Sequence, residues 1–471
     1  MKQLLSILMA SVLTMPLFAQ NADEQTADTV FTPTYKYRVT LTDKKATEHS
    51  VRRPEEFLSQ KALERRERQG IKVDKTDLPV CRVYLEGIAS VGVKVLMTSK
   101  WNNTALVQCE DTTLMNEVSR LPYVKEVRKV ATYVRKNQLP TPKRYDRTMF
   151  LEKNIPAPDA NEPIYGTGQV QIDQLNGVLL HDSGFRGKGM TIAILDAGYL
   201  NADIIPALQS VNILGTRDFV CPESDIYAES SHGMQVLSCM AMNTPHSLVG
   251  TAPEAAFWLI RSEDSGSEQM VEEDYWAAAI EFADSVGADV VNSSLGYTVF
   301  DNPADNVRYW EQDGATRLIS RSASMVASKG MVLCCSAGNE GDGTWKRTGC
   351  PADAKDVLAV GAIDFKGVNT RFSSLGHTAD GRIKPDVMAR GGNSAVMRTN
   401  GVVGSANGTS FSSPILCGMG ACLWQALPHL TSHELMELIR KNGNNASHPD
   451  NVYGYGVPDF YKAYGSVQYG R

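Results

Sequence analysis

The run NGTSFSSPILCGMGACLW occupies residues 407–424. Pro414 is tolerated in a helix only near its start, so a helix begins at or just after Ser410. Small residues, Gly418, Gly420 and Ala421, fill its middle. Free N–H groups and positive potential gather at a helix N-terminus, where they stabilise negative charge developing on a carbonyl oxygen. A plain N-cap serine fits the same local pattern, since serine is a favoured cap. The segment as a whole is more particular than a cap requires.

Upstream and downstream of that run, apolar stretches alternate with amphipathic ones. Strands are expected at 190–195, 257–260, 289–291, 331–335 and 357–360, and helices at 233–241, 272–286, 315–328, 411–426 and 432–440. Near-continuous apolar strands separated by helices indicate a parallel sheet covered on both faces, an α/β fold. Such sheets carry their sites at the carboxyl ends of the strands. TIAILDAG (191–198) sets Asp196 directly behind a buried strand, where a carboxylate orients a histidine, binds a metal or caps a turn. SSHGMQVLSCMAM (230–242) sets His232 at the start of a helix, a place also taken by structural hydrogen-bonding histidines.

Taken together, these segments resemble the subtilisin-like serine proteases, or subtilases, over about residues 165–463. The order Asp196, His232, Ser410 is the subtilisin chain order. VVNSSLGY (290–297) looks like the family's substrate-binding strand, and CCSAGNEG (334–341) like the block carrying its oxyanion asparagine, here Asn339. VLAVGAID (357–364), FSSLG (372–376) and KPDV (384–387) are similar to further core segments.

The resemblance implies a three-layer domain, a parallel sheet with helices on both faces, and a serine endopeptidase working through an acyl-enzyme. Ser410 would be the nucleophile, His232 the base and Asp196 its orienting partner, with Asn339 holding the oxyanion. Ser294, Leu295 and Gly296 are expected to offer substrate an extended edge, and Ala337 and Gly338 to line the pocket for the residue before the scissile bond. Two departures stand out: D-A-G where D-T-G or D-S-G is usual, and H-G-M where H-G-T is usual. Neither removes a reacting group, though Met234 bears on packing under His232. The alternatives are an inactive subtilase-fold peptide binder and a maturation protease of narrow specificity.

Other chemistries find no motif: H-E-x-x-H, Walker A and G-x-S-x-G are all missing from the sequence. No cofactor is required, no metal ligand is assigned, and structural calcium is admissible without a locatable site. The cluster Glu263, Asp264, Glu268, Glu272, Glu273 and Asp274 reads as a solvated acidic helix start rather than a site for Ca²⁺ or basic substrate residues.

The 471 residues, 42% hydrophobic and 21% charged, include 38 Gly and 21 Pro, which excludes collagen-like and low-complexity chains. A net charge of −6 argues against a nucleic-acid partner. That total conceals an asymmetry: residues 21–150 hold 24 Lys and Arg against 17 Asp and Glu, whereas 151–471 hold 22 against 36. Two units of opposite charge attract one another. Residues 1–19, with Lys2 before an apolar run, read as a signal peptide for Sec export to the periplasm, cell surface or medium, leaving no membrane span once removed. Residues 20–134 read as a small α+β unit, 135–163 as a linker with a processing site, and 164–471 as the catalytic domain.

Within the first unit, a strand is expected at 35–41, a helix from Pro54 through 55–69, apolar strand-like runs at 80–85, 91–98 and 105–109, a helix at 113–120 and a strand at 123–130. Its size, position and pattern are similar to subtilase propeptides, which implies a zymogen whose own N-terminal domain is chaperone and inhibitor. Protein or peptide substrates are the other expected partner. The nine cysteines form no C-x-x-C pair. Cys334 and Cys335 read as buried thiols, and disulfide pairing is left open.

Overall fold

A computed structural model describes residues 31–135, 139–141 and 146–468. The expected signal peptide and part of the expected linker lie outside the described residues. Two sheets organise the chain. The first is antiparallel, order β2-β3-β1-β4, built from Thr34–Leu41 (β1), Lys94–Ser99 (β2), Thr104–Cys109 (β3) and Val124–Tyr133 (β4). Helices Gln60–Arg68 (α1), Arg82–Ala89 (α2) and Leu114–Val118 (α3) complete this unit.

Two expectations change here. Residues 82–85 enter helix α2 instead of forming a strand: Ile88 is buried in the small core and Tyr84, one helical turn before it, packs against that core with Leu85, which a helical spacing allows. The helix expected through 55–69 is broken into a single turn at Pro54–Glu56 and α1, because the Ser59 side chain caps a new start by accepting from the Ala62 N–H at 3.2 Å.

Strand β1 shows why the sheet has two working faces. Val39 and Leu41 enter the unit's own core with Val107, Ile88 and Val118, and Tyr35 and Tyr37 pack against it. The intervening Lys36 and Arg38 point the other way, into the larger unit, as the two-residue period of a strand requires.

The larger unit begins with two short helices, Gln169–Asp173 (α4) and Gly177–Asp182 (α5). Its seven-stranded sheet contains Thr191–Asp196 (β5), Asn212–Asp218 (β6), Ala256–Arg261 (β9), Val290–Ser293 (β10), Val332–Ser336 (β11), Leu358–Ile363 (β12) and Val387–Arg390 (β13). The order is β13-β12-β11-β10-β5-β9-β6, parallel throughout. A hairpin of Asn243–Thr244 (β7) with Leu248–Val249 (β8) lies outside it.

Strand residues divide between two cores by alternation. Ile192, Ile194, Leu259, Cys334 and Val360 face one core with His232–Ala241 (α6) and Thr409–Ala426 (α9). Ala193, Leu195, Ile260, Cys335 and Ala359 face the other with Glu272–Val286 (α7) and Leu318–Met325 (α8). The three-layer architecture expected from the sequence is therefore present. The helix expected over 315–328 is confined to α8 and a following turn at Ala327–Lys329. Strands β6 and β13 were not anticipated; they are the two sheet edges. β6 exposes four of its seven residues, and β13, though buried, is only four residues long, too short to show a strand pattern. Ser432–Lys441 (α10) carries the capping box Thr431/Glu434, and Phe460–Gln468 (α11) closes the described chain. All nine cysteines are buried free thiols.

Helix α7 joins the two units. Arg38 makes two bonds to Asp274 at 2.7 and 2.6 Å, and Lys36 reaches the Tyr275 hydroxyl at 2.5 Å. The Glu281 carboxylate accepts from Ser99 Oγ and from the N–H groups of Lys100 and Trp101 at 2.5, 2.6 and 3.0 Å. At the helix C-terminus, Asp284 meets Arg65 at 2.5 Å and Arg66 at 2.8 Å, and Arg65 also donates to the Ala288 carbonyl. Guanidinium groups suit a helix C-terminus, where carbonyls lack partners. Burial would raise the Asp284 carboxyl, but Arg65, Lys100 and Arg66 outweigh it and hold it below the usual carboxylate range.

The acidic cluster is thus not the solvated helix start expected from composition. Glu272, Glu273 and Asp274 are buried. Asp274 pairs with Arg38 and Glu273 with Arg317, while Glu272 accepts from the N–H groups of Asp264 and Gln269. A buried charge left without its partner costs about 3–5 kcal/mol. Asp284→Ala in the full chain should therefore lower the unfolding free energy of the first transition by that order, as read from its urea midpoint and slope. Lys45→Ala, at the exposed Lys45–Asp43 pair, should change it by less than about 1 kcal/mol.

Candidate active site

Both sheet faces are covered, so the open rim is at the strand ends. Asp196 is the last residue of β5, Ser294–Gly296 follow β10, and Ala337–Asn339 follow β11. Two helix N-termini face the same rim: His232 opens α6, and Ser410 is the second residue of α9. One cleft of about 370 Å³ is lined by His232, Ser410, Asn339, Ser294, Leu295, Gly296, Gly338, Glu263 and their neighbours. Residues up to 213 positions apart in sequence, Ala197 and Ser410, are therefore gathered around a single cavity.

Asp196 is fully buried. Its Oδ1 accepts from His232 Nδ1 at 2.8 Å and from the Ala197 N–H at 2.8 Å. A carboxylate on Nδ1 fixes the proton there and leaves Nε2 as the basic nitrogen. Burial opposes charge on His232, yet the Asp196 charge and hydrogen bond outweigh it, with a smaller contribution from Glu263, and the imidazole is raised above its ordinary value. The close approach of α6 to β5 depends on Gly233: a Cβ there would stand 2.5 Å from the Gly198 carbonyl and 2.9 Å from Asp196 Cβ. Met234, the departure from the usual hydroxyl, is buried in the core beneath.

The Ser410 hydroxyl donates to the Ser294 carbonyl at 3.3 Å, and Ser294 Oγ returns a bond to the Ser410 carbonyl at 2.8 Å. Lying in the first turn of α9, the Ser410 N–H has no intrahelical acceptor. Asn339 is oriented by Thr409, whose N–H and Oγ1 both donate to Asn339 Oδ1, at 2.9 and 3.0 Å. Two donors on one side identify the oxygen and leave the NH₂ group directed away from Thr409. The Gly338 N–H in turn donates to Thr409 Oγ1 at 3.2 Å. Thr409 was not singled out from sequence; its signal was adjacency to Ser410.

The other expected residues divide. Gly296 is exposed on the cleft rim, while the Ser294 and Leu295 side chains are buried beside it. Gly338 lines the cleft with φ +110°, and a Cβ there would meet Ser374 Oγ at 2.7 Å. Ala337 stands behind the wall rather than on it: it is wholly buried, its N–H bound to Val360 and its carbonyl to Gly349. Glu263, assigned by composition to a solvated cluster, lines the cleft itself.

The profile of the subtilase family matches residues 187–456. The chain belongs to the subtilase family. A Peptidase S8 propeptide domain of the Bacteroidota type matches residues 36–144. Among curated relatives, subtilisin NAT of Bacillus subtilis subsp. natto is 30% identical over 289 residues, which is 60% of this chain and 68% of the relative. The serine protease AprX of Bacillus subtilis (strain 168) is 29% identical over 303 residues, 58% and 65% of the two chains. The solved structure of the epidermin leader peptide processing serine protease from Staphylococcus aureus covers 92% of this chain and 99% of its own, with a TM-score of 0.63 at 16% identity. This subtilase is accordingly a serine endopeptidase built with a propeptide domain.

If the Asn339 amide holds developing negative charge, its removal lowers turnover without abolishing binding. Asn339→Ala should reduce kcat by about 10²–10³-fold, the size such a donor carries in subtilisin. KM for a peptide substrate should change by much less, as read from steady-state kinetics on the processed enzyme.

Proposed function

We propose that Ser410, His232 and Asp196 are the nucleophile, general base and orienting carboxylate of this endopeptidase. The Asp196–His232 hydrogen bond, aimed into the cleft that Ser410 shares, carries the reading. Substrate backbone pairs with the edge at Ser294–Gly296, as in other strand-addition recognition. The Ser410 hydroxyl then turns from the Ser294 carbonyl toward His232 Nε2, which takes its proton as Oγ attacks the scissile carbonyl. The Asn339 amide and the Ser410 N–H receive the oxyanion. His232 returns the proton to the leaving amine, and water repeats the sequence on the acyl-enzyme. Side chains and backbone amides suffice for every step.

We further propose export as a zymogen and cleavage between the two units, within 135–163. No helix among the described residues is long and apolar enough to cross a membrane. Arg147 is tied to Asp203, with Nη2–Oδ2 at 2.7 Å, and to the Tyr227 carbonyl at 3.0 Å, while the Glu152 N–H donates to the Asn400 carbonyl. Those anchors belong to the catalytic unit and favour a cut on the N-terminal side of Arg147. Asp203 and Tyr227 lie beside the loop that follows Asp196, so that segment stays with the enzyme. N-terminal sequencing of the mature secreted protein tests export and processing together: a start inside residues 20–134, or an active enzyme with an intact N-terminal unit, would sink the zymogen reading.

The roles of the reacting residues have two tests. A fluorophosphonate should label the mature protein at Ser410, and Ser410→Ala should abolish the label; a persistent label would remove Ser410 from its role. Because His232 must be neutral to accept a proton, kcat/KM should rise with pH through its raised pKa. Asp196→Asn removes the charge that holds that pKa up. Its acidic limb should move to lower pH while the plateau falls roughly 10⁴-fold.

A further inference from the structure

Two carboxylates line the cleft that the reaction does not use, Glu263 and Glu340. Glu263 lies two residues beyond β9, half-buried, on the same cavity wall as His232. Its Oε2 accepts from the Tyr297 hydroxyl. Tyr297 is itself buried and held by a pair of backbone bonds with Cys350, N–H to carbonyl at 2.8 and 3.1 Å, so the carboxylate is carried on a rigid support. Among the described residues, the cleft lining contains Glu263 and Glu340 and no Lys or Arg. Asp196 and Asp264 add negative charge around Glu263, and His232 is the cationic neighbour when protonated; Glu268 and Glu272 are nearby carboxyls that burial pushes toward their neutral form.

Burial raises the Glu263 carboxyl to about 7; Tyr297 opposes the shift, and the Asp196 and Asp264 charges reinforce it. A carboxylate destabilised in this way gains from a cation brought to it. Resting on the endopeptidase reading, an extended substrate paired with the 294–296 edge turns successive side chains to opposite sides. With the residue before the scissile bond set against the wall made by Gly338 and Gly349, alternation would turn the preceding residue away from it, toward the part of the lining that holds His232 and Glu263.

We propose that Glu263 is a specificity-determining residue, selecting substrates with Lys or Arg as the second residue before the scissile bond. The ammonium or guanidinium group replaces the missing counter-ion in the cleft and forms a charge-assisted hydrogen bond with the carboxylate. Glutamate at that substrate position meets like charge in a half-buried site and is disfavoured.

The test uses the processed enzyme and three fluorogenic peptides that differ only at that position: Arg, Ala and Glu. Assays run at pH 8.5, where Glu263 is ionised, with enzyme concentration set by fluorophosphonate titration. The expected kcat/KM for Arg exceeds that for Ala by about tenfold or more, and that for Glu falls below Ala. In Glu263→Gln the Arg-to-Ala ratio should collapse toward one, and in Glu263→Lys the Glu peptide should overtake Arg. Reading ratios cancels any general loss of activity. An Arg-to-Ala ratio near one in the unaltered enzyme, or one preserved in Glu263→Gln, overturns the proposal while leaving the endopeptidase intact. Fluorophosphonate labelling without cleavage of any peptide overturns the proposed preference as well. Neither labelling nor cleavage overturns the endopeptidase reading beneath it.

Discussion

A parallel sheet buried on both faces offers polar groups no place except the ends of its strands. Every side chain of β5 is enclosed, and the strand ends in a carboxylate that would be costly to bury alone. The hydrogen bonds from His232 and the Ala197 N–H make Asp196 tolerable. The same bonds fix which imidazole nitrogen faces the cleft. Helices α6 and α9 bring His232 and Ser410 to that rim because both pack, through small or apolar residues, on the core beneath it. The site is thus a consequence of layering: chemistry collects where the layers stop.

The opposite layer has a second duty. Helix α7 packs Trp276, Ala279, Ile280 and Ala283 on the sheet and presents Asp274, Glu281 and Asp284 to the N-terminal unit. One helix therefore supports the sheet that carries Asp196 and also receives the propeptide domain. The charges on the two sides are complementary, so the imbalance visible in the composition becomes a set of named pairs at one helix. Most are buried, which makes them exacting in geometry more than generous in stability.

Much of this was legible in the residues. Strands β5, β9, β10, β11 and β12 read as apolar runs because each is buried on both faces, and α7 was bounded correctly by its periodicity. The expected His232, Asn339 and Ser410 line one cleft, and Asp196 is buried behind it, bonded to His232. Edge strands β6 and β13 escaped because an edge is half-solvated or short and loses the apolar signature. Residues 80–85 misled because a short apolar run fits a strand or a buried helix turn equally well. The break before α1 hinged on Ser59, a cap whose value depends on the chain turning there.

The acidic cluster marks the boundary between the two kinds of information. Six carboxylates near one helix start are a fact of sequence, and a solvated helix end is their ordinary meaning. Whether they meet arginines, a core or a cleft depends on distant segments, such as Arg38, 236 residues before Asp274, and Arg317, 44 residues after Glu273, and no local pattern records that pairing. By itself, the sequence determined the alternation of strands and helices, the rim position of Asp196, His232 and Ser410 and the opposed charge of the two units. Those follow from periodicity, helix-start chemistry and composition, which are local or additive. Only the tertiary structure decided which carboxylates became counter-ions, that Ala337 stands behind the cleft wall, that Thr409 orients Asn339, and that Glu263 lines the same cleft as His232. Each of these is a contact between distant segments, and contacts exist only once the chain has folded.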